Sequence, residues 1–430
     1  MKITVVGSGY VGLVSGACFA NLGNEVTCVD IDAKKIALLK KGVTPIYEPG
    51  LEELVRHNLK EKNLSFTTDL KGAVRRTDVI FIAVGTPPRP NGEADLSFVE
   101  DVARTIAKDL RGYKLIVEKS TVPVQTGERL AQTLRHTVKK GADFDVASNP
   151  EFLREGSAVR DFMNPDRIIL GVESKKAERI LRELYAPLKA PIVVTDINSA
   201  EIIKHASNSF LATKISFINA IANVCDAAKA DVEQVAIGIG LDRRIGRGFL
   251  DAGIGFGGFC FPKDLAAFIR ISEKLGYDFE LLRAVERINE NQKKVFLKKV
   301  EEALWNVSSK TIGVLGLSFK PNTDDMRYAP SVEIIAALQA QGARVKAFDP
   351  HAMPKAKGLL RNVEFCKDSY SVSKGSDCLL ILTEWDEFKE LDLARVKKAL
   401  RQPIVVDGRN IYDPKKMRKL GFKYFSMGRP

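Results

Sequence analysis

The sequence predicts an α/β protein with two Rossmann-like doubly wound sheets, joined by a long central helix and a helical connector. Three observations support this fold class. Strand-like apolar runs alternate with helix-like segments in the first part of the chain, a pattern typical of parallel sheets. Residues 198–229 contain neither Gly nor Pro and repeat apolar residues at helical spacing. The alternation resumes near residue 311. We therefore expect domains at 1–196, 197–305 and 306–430.

The first unit of the chain is a strand, a glycine-rich turn, a helix, a second strand and an acid. Residues 2–6 form an apolar run, a helix is expected over 13–22, and the second strand covers 25–29 and ends at Asp30. Five further strands are expected in this domain. They are 79–84, 114–117, 144–147, 168–172 and 192–194.

The turn after the first strand carries a dinucleotide fingerprint. Gly7 permits the tight turn, Gly9 lets the backbone approach a pyrophosphate, and Gly12 lets helix and strand pack closely. Asp30 would accept hydrogen bonds from the adenosine ribose and repel a 2′-phosphate, which favours NAD over NADP. Lys35 weakens this preference, because its ammonium group could reach a phosphate.

The middle of the chain is predicted to be helical. Asn198 and Glu201 are a plausible capping pair for the long helix, and helical segments are also expected at 231–237, 264–275 and 279–304. Helices with such extensive apolar faces often supply a subunit interface, so we expect a homodimer.

The last region repeats the order of the first without its full glycine fingerprint. A strand at 311–315 runs into a glycine turn, a helix at about 331–341 and a strand at 344–348 that ends at Asp349. Strands near 378–382 and 404–406 complete it. Two nucleotide-type domains suit a protein with two nucleotide-bearing ligands.

Cys260 is the candidate nucleophile. It lies in glycine-rich backbone, at residues 255–258, and is followed by Lys263 and Asp264. A thiol attacks as its thiolate, and either the Lys263 ammonium or backbone N–H groups left uncovered by the glycines would favour that form. A buried structural cysteine is the alternative. Together with the dinucleotide fingerprint, Cys260 indicates oxidation through a covalent carbonyl adduct.

Polar residues on the predicted helices could serve the same reaction. Lys204 and Asn208 are four residues apart and share one helix face, so they are candidate donors to an oxyanion, or else a solvated stripe. Asp264 follows Cys260 by one helical turn and could position a water, accept a proton or cap the next helix.

Two strand ends carry further candidates. Glu151 and Glu155 follow a strand, where open α/β sheets bind ligands, and one of them could be a general base; a salt-bridged helix start is the alternative. Thr121 follows another strand on the same predicted edge and could contact nicotinamide or water.

Composition narrows the function classes. The net charge of +12 would attract anions, but Lys and Arg are spread along the chain among abundant acids, which disfavours nucleic-acid binding. Six distant cysteines without a CxxC pair indicate reduced thiols and a cytoplasmic location. The four scattered histidines suggest no metal site, and no apolar stretch is long enough to cross a membrane.

The chain resembles the UDP-glucose/GDP-mannose dehydrogenase family over nearly its whole length. The matching segments are 7–12, 118–123, 149–156, Lys204 with Asn208, 216–226, 255–264, 316–320 and 407–409. The resemblance implies that UDP-glucose is oxidised at C6 to UDP-glucuronate in two hydride transfers to NAD, through a thiohemiacetal and a thioester on Cys260. It places Lys204 and Asn208 on the oxyanion, Asp264 on the water or proton step, and Glu151 at the thioester stage.

The resemblance also implies the binding residues. Cofactor contacts would be Gly7, Gly9, Val11, Gly12, Asp30, Lys35, Thr86, Thr121, Glu155, Lys263 and Arg327. Substrate contacts would be Glu151, Phe152, Leu153, Arg154, Glu155, Lys204, Asn208, Phe249, Leu250, Asp251, Ala252, Gly253, Gly257, Lys320 and Arg409, with Arg244 reaching the partner subunit's site. Residues 249–253 resemble the glucose-handling version of their loop. One departure stands out, because the family usually has Ser where this chain has Phe259.

Three alternatives remain open at this stage. GDP-mannose or another nucleotide sugar could be the substrate. A two-electron dehydrogenase of the β-hydroxyacid type shares the glycine fingerprint and the Lys-x-x-x-Asn helix, but it needs neither the cysteine nor a second nucleotide-binding domain. A non-catalytic nucleotide-sugar sensor would have no use for an activated thiol.

Overall fold

The computed structural model describes residues 1–89, 91–138 and 142–430. The chain divides into two compact units, one made of residues 1–207 and 266–276 and the other of residues 208–265 and 277–430. Each unit has its own largely parallel sheet, so the predicted α/β class with two Rossmann-like sheets is confirmed. The predicted three-domain boundaries, after residues 196 and 305, stay a prediction.

The first unit contains an eight-stranded sheet in the order β3-β2-β1-β4-β5-β6-β7-β8. Neighbouring strands are parallel except β6 and β7. The strands are β1 (Lys2–Val6), β2 (Glu25–Val29), β3 (Leu64–Thr67), β4 (Val79–Ile82), β5 (Tyr113–Glu118), β6 (Asp143–Ser148), β7 (Ile168–Val172) and β8 (Ile192–Thr195). The helices up to β8 are α1 (Tyr10–Asn21), α2 (Ala33–Lys40), α3 (Leu51–Lys60), α4 (Leu70–Arg76), α5 (Ser97–Asp109), α6 (Thr126–Thr137), α7 (Ala158–Met163) and α8 (Lys175–Tyr185), and Ala186–Leu188 form a 3-10 turn.

Both faces of the first sheet are covered. All four residues of β4 are buried, and because side chains alternate along a strand, they supply two separate cores. Val79 and Phe81 belong to one hydrophobic cluster, while Ile80 and Ile82 belong to the other. This double burial explains why the central strands are continuous apolar runs in the sequence.

The connector consists of α9 (Ile197–Ala228), α10 (Val232–Gly240), α11 (Cys260–Lys274) and α12 (Glu280–Leu304). The long central helix is confirmed, but its predicted cap is wrong. The carboxylate of Asp196 accepts the Ser199 N–H at 2.8 Å. Glu201 is buried and instead accepts the backbone N–H groups of Gln125 at 2.7 Å and Gly127 at 2.8 Å. The capping acid therefore precedes the helix, as is usual for an N-cap.

The second unit contains a parallel six-stranded sheet in the order β11-β10-β9-β12-β13-β14. This is the order of the first six strands of the other sheet, so the predicted repeat is confirmed. The strands are β9 (Thr311–Leu315), β10 (Arg344–Phe348), β11 (Val363–Phe365), β12 (Cys378–Ile381), β13 (Ile404–Asp407) and β14 (Lys423–Ser426). The helices after α12 are α13 (Pro330–Ala340), α14 (Met353–Leu359), α15 (Ser369–Ser373), α16 (Asp386–Lys389), α17 (Leu393–Ala399) and α18 (Pro414–Lys419).

The acid at the end of β10 differs in its surroundings from the acid at the end of β2. Asp349 is fully buried and accepts the N–H groups of Leu317 at 2.8 Å and Ser318 at 3.0 Å, and that of the Trp385 indole at 3.2 Å. Its other oxygen accepts two N–H groups of the following turn. Asp349 therefore serves to hold the loops around it.

Two helices begin at residues other than those predicted. The first helix begins at Tyr10 instead of residue 13, because the glycine turn leads directly into it. Helix α11 begins at Cys260 instead of Asp264. Among the described residues, no helix is both long and apolar enough to cross a membrane.

Candidate active site

The glycine-rich turn of the first unit fits a dinucleotide. Gly7 has a positive φ of 99°, and a Cβ there would lie 2.6 Å from the Ala83 carbonyl oxygen. A Cβ on Gly12 would collide with the Gly7 carbonyl, so close packing of turn and helix requires both glycines. A Cβ on Gly9 would meet no atom within 4 Å. Packing therefore does not require Gly9, and its small size leaves room for a ligand. Val11 lies in the first turn of α1, next to this turn.

Asp30 lies directly after β2, beside the glycine turn. Its carboxylate accepts the Ser8 N–H at 2.9 Å and pairs with the Lys35 ammonium at 2.8 Å. Partial burial alone would raise the pKa of Asp30, but Lys35 and the backbone N–H groups of Asp32 and Ser8 hold that pKa below its usual value. Asp30 is thus a carboxylate at neutral pH, as a ribose-binding acid must be. Lys35, a candidate phosphate contact, is engaged with that carboxylate.

Thr86 and Thr121 lie in loops that follow neighbouring strands of the sheet. The hydroxyl of Thr86 donates to the Thr121 carbonyl oxygen at 2.8 Å. Thr86 is buried and Thr121 half-buried. The structure thus brings together these two candidate cofactor contacts, which are 35 residues apart in sequence.

Glu151 and Lys204 form a buried ion pair. The Lys204 ammonium donates to the carboxylate of Glu151 at 3.0 Å and to its backbone carbonyl at 2.7 Å. The side chains are 6% and 5% exposed. Lys204 is therefore not part of a solvated stripe, and burial strengthens the interaction between the two charges.

The loop that follows Glu151 is folded around charged groups. The second oxygen of Glu151 accepts the Leu153 N–H at 2.5 Å. The Phe152 ring lies 3.7 Å from the Arg167 guanidinium and 5.3 Å from the Lys204 ammonium. Arg154 is exposed and pairs with Asp161. Glu155 is half-buried. The geometry therefore groups Glu151, Phe152 and Lys204, whereas Arg154 is directed to a surface ion pair.

Cys260 is the first residue of α11 and is partly exposed. The glycines before it have close neighbours: Gly258 has φ of 78°, and a Cβ there would lie 2.6 Å from the Phe319 ring. A Cβ on Gly257 would lie 2.3 Å from the Tyr328 carbonyl oxygen. A cysteine at a helix N-terminus lies near uncovered backbone N–H groups, which favour the thiolate. The other five cysteines are buried.

Asp264 lies one turn after Cys260 on α11 and is 1% exposed. Its carboxylate accepts the Asn208 amide N–H at 2.6 Å and pairs with the Lys263 ammonium at 2.7 Å. The alternative that Asp264 caps the helix is wrong, because α11 already begins at Cys260. The second unit therefore contains a cluster of Cys260, Asn208, Asp264 and Lys263.

Phe259 lies between two cations. The Arg327 guanidinium is 4.2 Å from the centre of its ring and the Lys263 ammonium is 5.5 Å from it. Arg327 also pairs with Asp325 at 2.6 Å. Cations over an aromatic face attract its negative charge density. Phe259, which stands where the family usually has Ser, therefore contacts Arg327 and Lys263, the two cations of this unit that are candidate cofactor contacts.

The candidate substrate loop at 249–253 is only partly open. Leu250 and Ala252 are buried and belong to a hydrophobic cluster with α9 and α10, and the Gly253 N–H donates to Asn219 at 2.8 Å. Asp251 is exposed and pairs with Arg247, and the Phe249 ring lies 6.3 Å from that of Phe261. The side chains of Leu250 and Ala252 thus contribute to packing.

Arg409 joins three loops of the second unit. Its guanidinium donates to the carbonyl oxygens of Leu382 at 2.8 Å, Phe319 at 3.1 Å and Gly255 at 3.2 Å. Lys320, beside Phe319, is half-buried and lies 5.5 Å from the Phe319 ring. Arg244 is 88% exposed and pairs with Asp242, which leaves it on the surface of this chain.

Sequence reasoning missed two buried ionisable groups at the end of β5. Burial raises the pKa of Glu118 to about 8 and lowers that of Lys119 to about 8. Lys119 donates to the Asn149 amide oxygen at 2.9 Å. The only sequence signal was their position at a strand end. No cluster of His, Cys, Asp and Glu in the described residues could hold a metal ion.

Comparison with known proteins identifies the family. Residues 1–189, 198–291 and 313–414 match, in order, the NAD binding domain, the central domain and the UDP binding domain of the UDP-glucose/GDP-mannose dehydrogenase family. The first match confirms NAD as the cofactor.

Relatives align over the full chain. UDP-glucose 6-dehydrogenase TuaD of Bacillus subtilis is 53% identical over 100% of this chain and 93% of its own length, and UDP-glucose 6-dehydrogenase of Rhizobium meliloti is 48% identical over 100% of both chains. A solved UDP-glucose dehydrogenase from Pyrobaculum islandicum superposes with a TM-score of 0.93 and 42% identity, covering 100% of this chain and 98% of that one. With its three family domains in order and these full-length relatives, the chain belongs to the UDP-glucose/GDP-mannose dehydrogenase family and is an NAD-dependent oxidoreductase.

Proposed function

We propose that this enzyme oxidises UDP-glucose to UDP-glucuronate through a thioester on Cys260. The observation that carries the proposal is the Asn208–Asp264 hydrogen bond of 2.6 Å, one helical turn from a cysteine that begins a helix. A two-electron alcohol dehydrogenase would need no such thiol. The names of the full-length relatives support UDP-glucose as the substrate.

The first stage converts the sugar C6 alcohol to an aldehyde. When bound, NAD⁺ would supply the hydride acceptor, and each of the two oxidations would use its own NAD⁺. The alcohol proton passes to a basic group, and the Cys260 thiolate then attacks the aldehyde carbon, forming a C–S bond and a thiohemiacetal oxyanion. The Lys204 ammonium and the Asn208 amide donate to that oxyanion.

The second stage converts the adduct to the acid. Loss of a second hydride from C6 gives a thioester, and water then breaks the C–S bond and returns the thiol. Asp264 accepts a proton from the attacking water, and Glu151 serves as acid or base at the thioester. The balance is one UDP-glucose, two NAD⁺ and one water to UDP-glucuronate, two NADH and three protons.

NADH stoichiometry tests the reaction class. Two NADH per UDP-glucose consumed support the four-electron route, whereas one NADH would indicate a two-electron dehydrogenase and none a sensor. UDP-galactose, UDP-N-acetylmannosamine and GDP-mannose, assayed in parallel, test the sugar preference. The proposal predicts the highest kcat/KM for UDP-glucose, and a higher value for GDP-mannose would overturn the substrate assignment.

Intact-protein mass spectrometry tests the nucleophile. Asp264→Asn should slow release of the thioester, so a mass gain equal to one uronyl nucleotide should appear under turnover. Cys260→Ser should abolish steady formation of the acid. Cys366→Ser replaces a buried cysteine of the second unit and is the matched control, since it should keep turnover. Steady turnover by Cys260→Ser would refute the nucleophile.

The expected homodimer is supported by one face of α9. Phe210, Phe217 and Val224 recur every seven residues along this helix and are 65%, 51% and 62% exposed in the single chain. A regular stripe of large apolar residues on a helix is typical of a helix–helix interface. We assign this face to a second copy of the chain, to which Arg244 would also contribute. The cytoplasmic location stays a prediction.

A further inference from the structure

A buried carboxylate links the glycine-rich turn to the loop that carries Glu151 and Glu155. Glu48 lies in the connection between α2 and α3 and is 5% exposed. Its two oxygens each accept a backbone N–H at 2.7 Å, one from Gly156 and one from Ala158. Because an unpaired buried carboxylate would be strongly unfavourable, these bonds to residues more than 100 positions away tie the end of the loop to Glu48.

The same carboxylate reaches the cofactor turn through Tyr10. The Tyr10 hydroxyl donates to Glu48, and the Gly156 N–H also lies 3.1 Å from the Tyr10 oxygen. Tyr10 begins α1, directly after Gly9. Burial, and then the hydrogen bond to Glu48, raises the pKa of Tyr10, so the phenol keeps its proton and remains a donor.

The loop is therefore held at both ends. At its start, Glu151 accepts the Leu153 N–H and is paired with Lys204. At its end, Gly156 has a φ of 82°, which glycine adopts readily, and donates to Glu48. Four candidate ligand contacts lie between these two attachments: Phe152, Leu153, Arg154 and Glu155.

We propose that Glu48 is a positioning residue that couples binding of the dinucleotide at the glycine turn to binding of the nucleotide sugar at residues 151–156. This inference rests on the proposed function, since it takes that loop as part of the substrate site. Each ligand orders the segment on its own side of Glu48. The second ligand therefore meets a loop that is already ordered and binds more tightly.

The test uses an inert pair of ligands and the full-length protein. NADH and UDP-glucose cannot react with each other, so the Kd of UDP-glucose can be measured by calorimetry without and with saturating NADH. The proposal expects NADH to tighten UDP-glucose binding about fivefold to tenfold, within the usual range of coupling between sites. In Glu48→Gln the ratio should fall to about one, because the amide keeps one acceptor oxygen and presents an N–H to a backbone donor.

Two further variants distinguish a loss of coupling between the two ligands from a loss of folding stability. Glu53→Gln changes an exposed glutamate of α3 and should keep the native ratio. Tyr10→Phe removes only the hydroxyl, so it should fold even if Glu48→Gln does not. It should reduce the ratio of the two UDP-glucose Kd values, while kcat stays within about twofold. A native-like ratio in Tyr10→Phe, or in a folded Glu48→Gln, would overturn the proposal, as would a ratio of one in the unmodified enzyme.

The outcome is separable from that of the proposed function. If the unmodified enzyme forms two NADH per UDP-glucose and Glu48→Gln matches it in KM and in the coupling ratio, only the inference fails. If the unmodified enzyme does not oxidise UDP-glucose but Glu48→Gln loses coupling between NADH and the bound nucleotide sugar, the substrate assignment fails and the positioning role stands.

Discussion

The Arg327 guanidinium lies 4.2 Å from the centre of the Phe259 ring. Phe259 directly precedes Cys260 and is also approached by Lys263, so a single ring contacts two cations beside the proposed nucleophile. A contact of this kind contributes about 1 kcal/mol at a partly exposed site. The ring therefore adds a shared contact to two cations that are also paired with Asp325 and Asp264.

Replacing Phe259 should weaken cofactor binding more than chemistry. In Phe259→Ser we expect kcat/KM for NAD⁺ to fall about fivefold, the equivalent of about 1 kcal/mol, because Arg327 and Lys263 lose their common support. Phe259→Tyr keeps an aromatic face and is the control that should remain near native. An unchanged kcat/KM in Phe259→Ser would show that the ring does not position these cations.

The buried pair of Lys204 and Glu151 should matter for both stability and rate. Lys204→Met leaves the Glu151 carboxylate buried without its cation, which should lower the free energy of unfolding by about 3–5 kcal/mol. Loss of the proposed oxyanion donor should lower kcat about 100-fold or more. Denaturant unfolding and initial rates measure the two effects.

The exposed pair of Lys175 and Glu178 provides the comparison for Lys204→Met. The Lys175 side chain is 97% exposed, so Lys175→Met should change the free energy of unfolding by less than about 1 kcal/mol. A similarly small change in Lys204→Met would contradict a structural role for the buried pair.

Glu118 should make the enzyme less stable as pH rises from about 5 to 8. Burial is the largest cause that raises the pKa of its carboxyl from 4.5 to about 8, opposed by the Ser120 hydrogen bonds and assisted by the charge of Glu201. Between these two pKa values the native state holds a proton that the unfolded chain has released. The contribution of Glu118 to the free energy of unfolding is therefore fully present below pH 4.5. It is lost towards pH 8, by up to about 1.4 kcal/mol per pH unit.

Glu118→Gln should remove the contribution of Glu118 to the slope of the unfolding free energy against pH. Denaturant unfolding at pH 5, 6, 7 and 8 measures this slope. Part of the slope should remain below pH 7, since burial also raises the pKa of Glu201 to about 7. Lys119 acts in the opposite direction, but only above its lowered pKa of about 8. Glu53→Gln, at an exposed site, should leave the slope intact. An equal slope in Glu118→Gln would show that this carboxyl is ionised when folded.

Asp30 should determine the preference between NAD and NADP. In Asp30→Ser the Lys35 ammonium loses its carboxylate partner and can meet a 2′-phosphate, so the ratio of kcat/KM for NADP⁺ to that for NAD⁺ should rise about 100-fold. Adding Lys35→Ala should cancel most of this gain. If the ratio does not change in Asp30→Ser, the acid does not discriminate between the two cofactors.

The α9 face should control assembly. Light scattering should give the unmodified protein the mass of two or more 47.5 kDa chains, and Phe217→Asp should shift it towards a single chain. Leu359→Asp introduces the same charge at an exposed apolar residue of a different helix and should leave the mass unchanged. A single-chain mass for the unmodified protein would refute the homodimer.

The fold was largely predictable because its central strands are buried on both faces. Strands β1, β9 and β10 were predicted at their observed bounds. The three strands that sequence patterns missed, β3, β11 and β14, are short and lie at sheet edges. Their alternating polar residues, as in Leu64-Ser65-Phe66-Thr67, do not form the continuous apolar run that marks a central strand.

The placement of the candidate site residues was predictable where it follows from local spacing. Asp264 one turn after Cys260, and Lys204 one turn before Asn208, could be recognised from helical periodicity. Glu48 and Glu118 could not, because their roles depend on burial and on partners far away in the chain. The spacing likewise could not reveal that Arg154 would pair with Asp161 and that Leu250 would be packed inside.

The hydrogen bonds of Asp349 limit how the repeated strand order of the two sheets can be used in engineering. The two halves share a strand order, yet Asp349, the counterpart of the candidate ribose contact Asp30, accepts hydrogen bonds from six internal donors. Grafting a glycine fingerprint after β9 would therefore not create a second redox-cofactor pocket, since freeing that carboxylate would dismantle the loops it supports. The two halves therefore differ in what the acid after their second strand can bind.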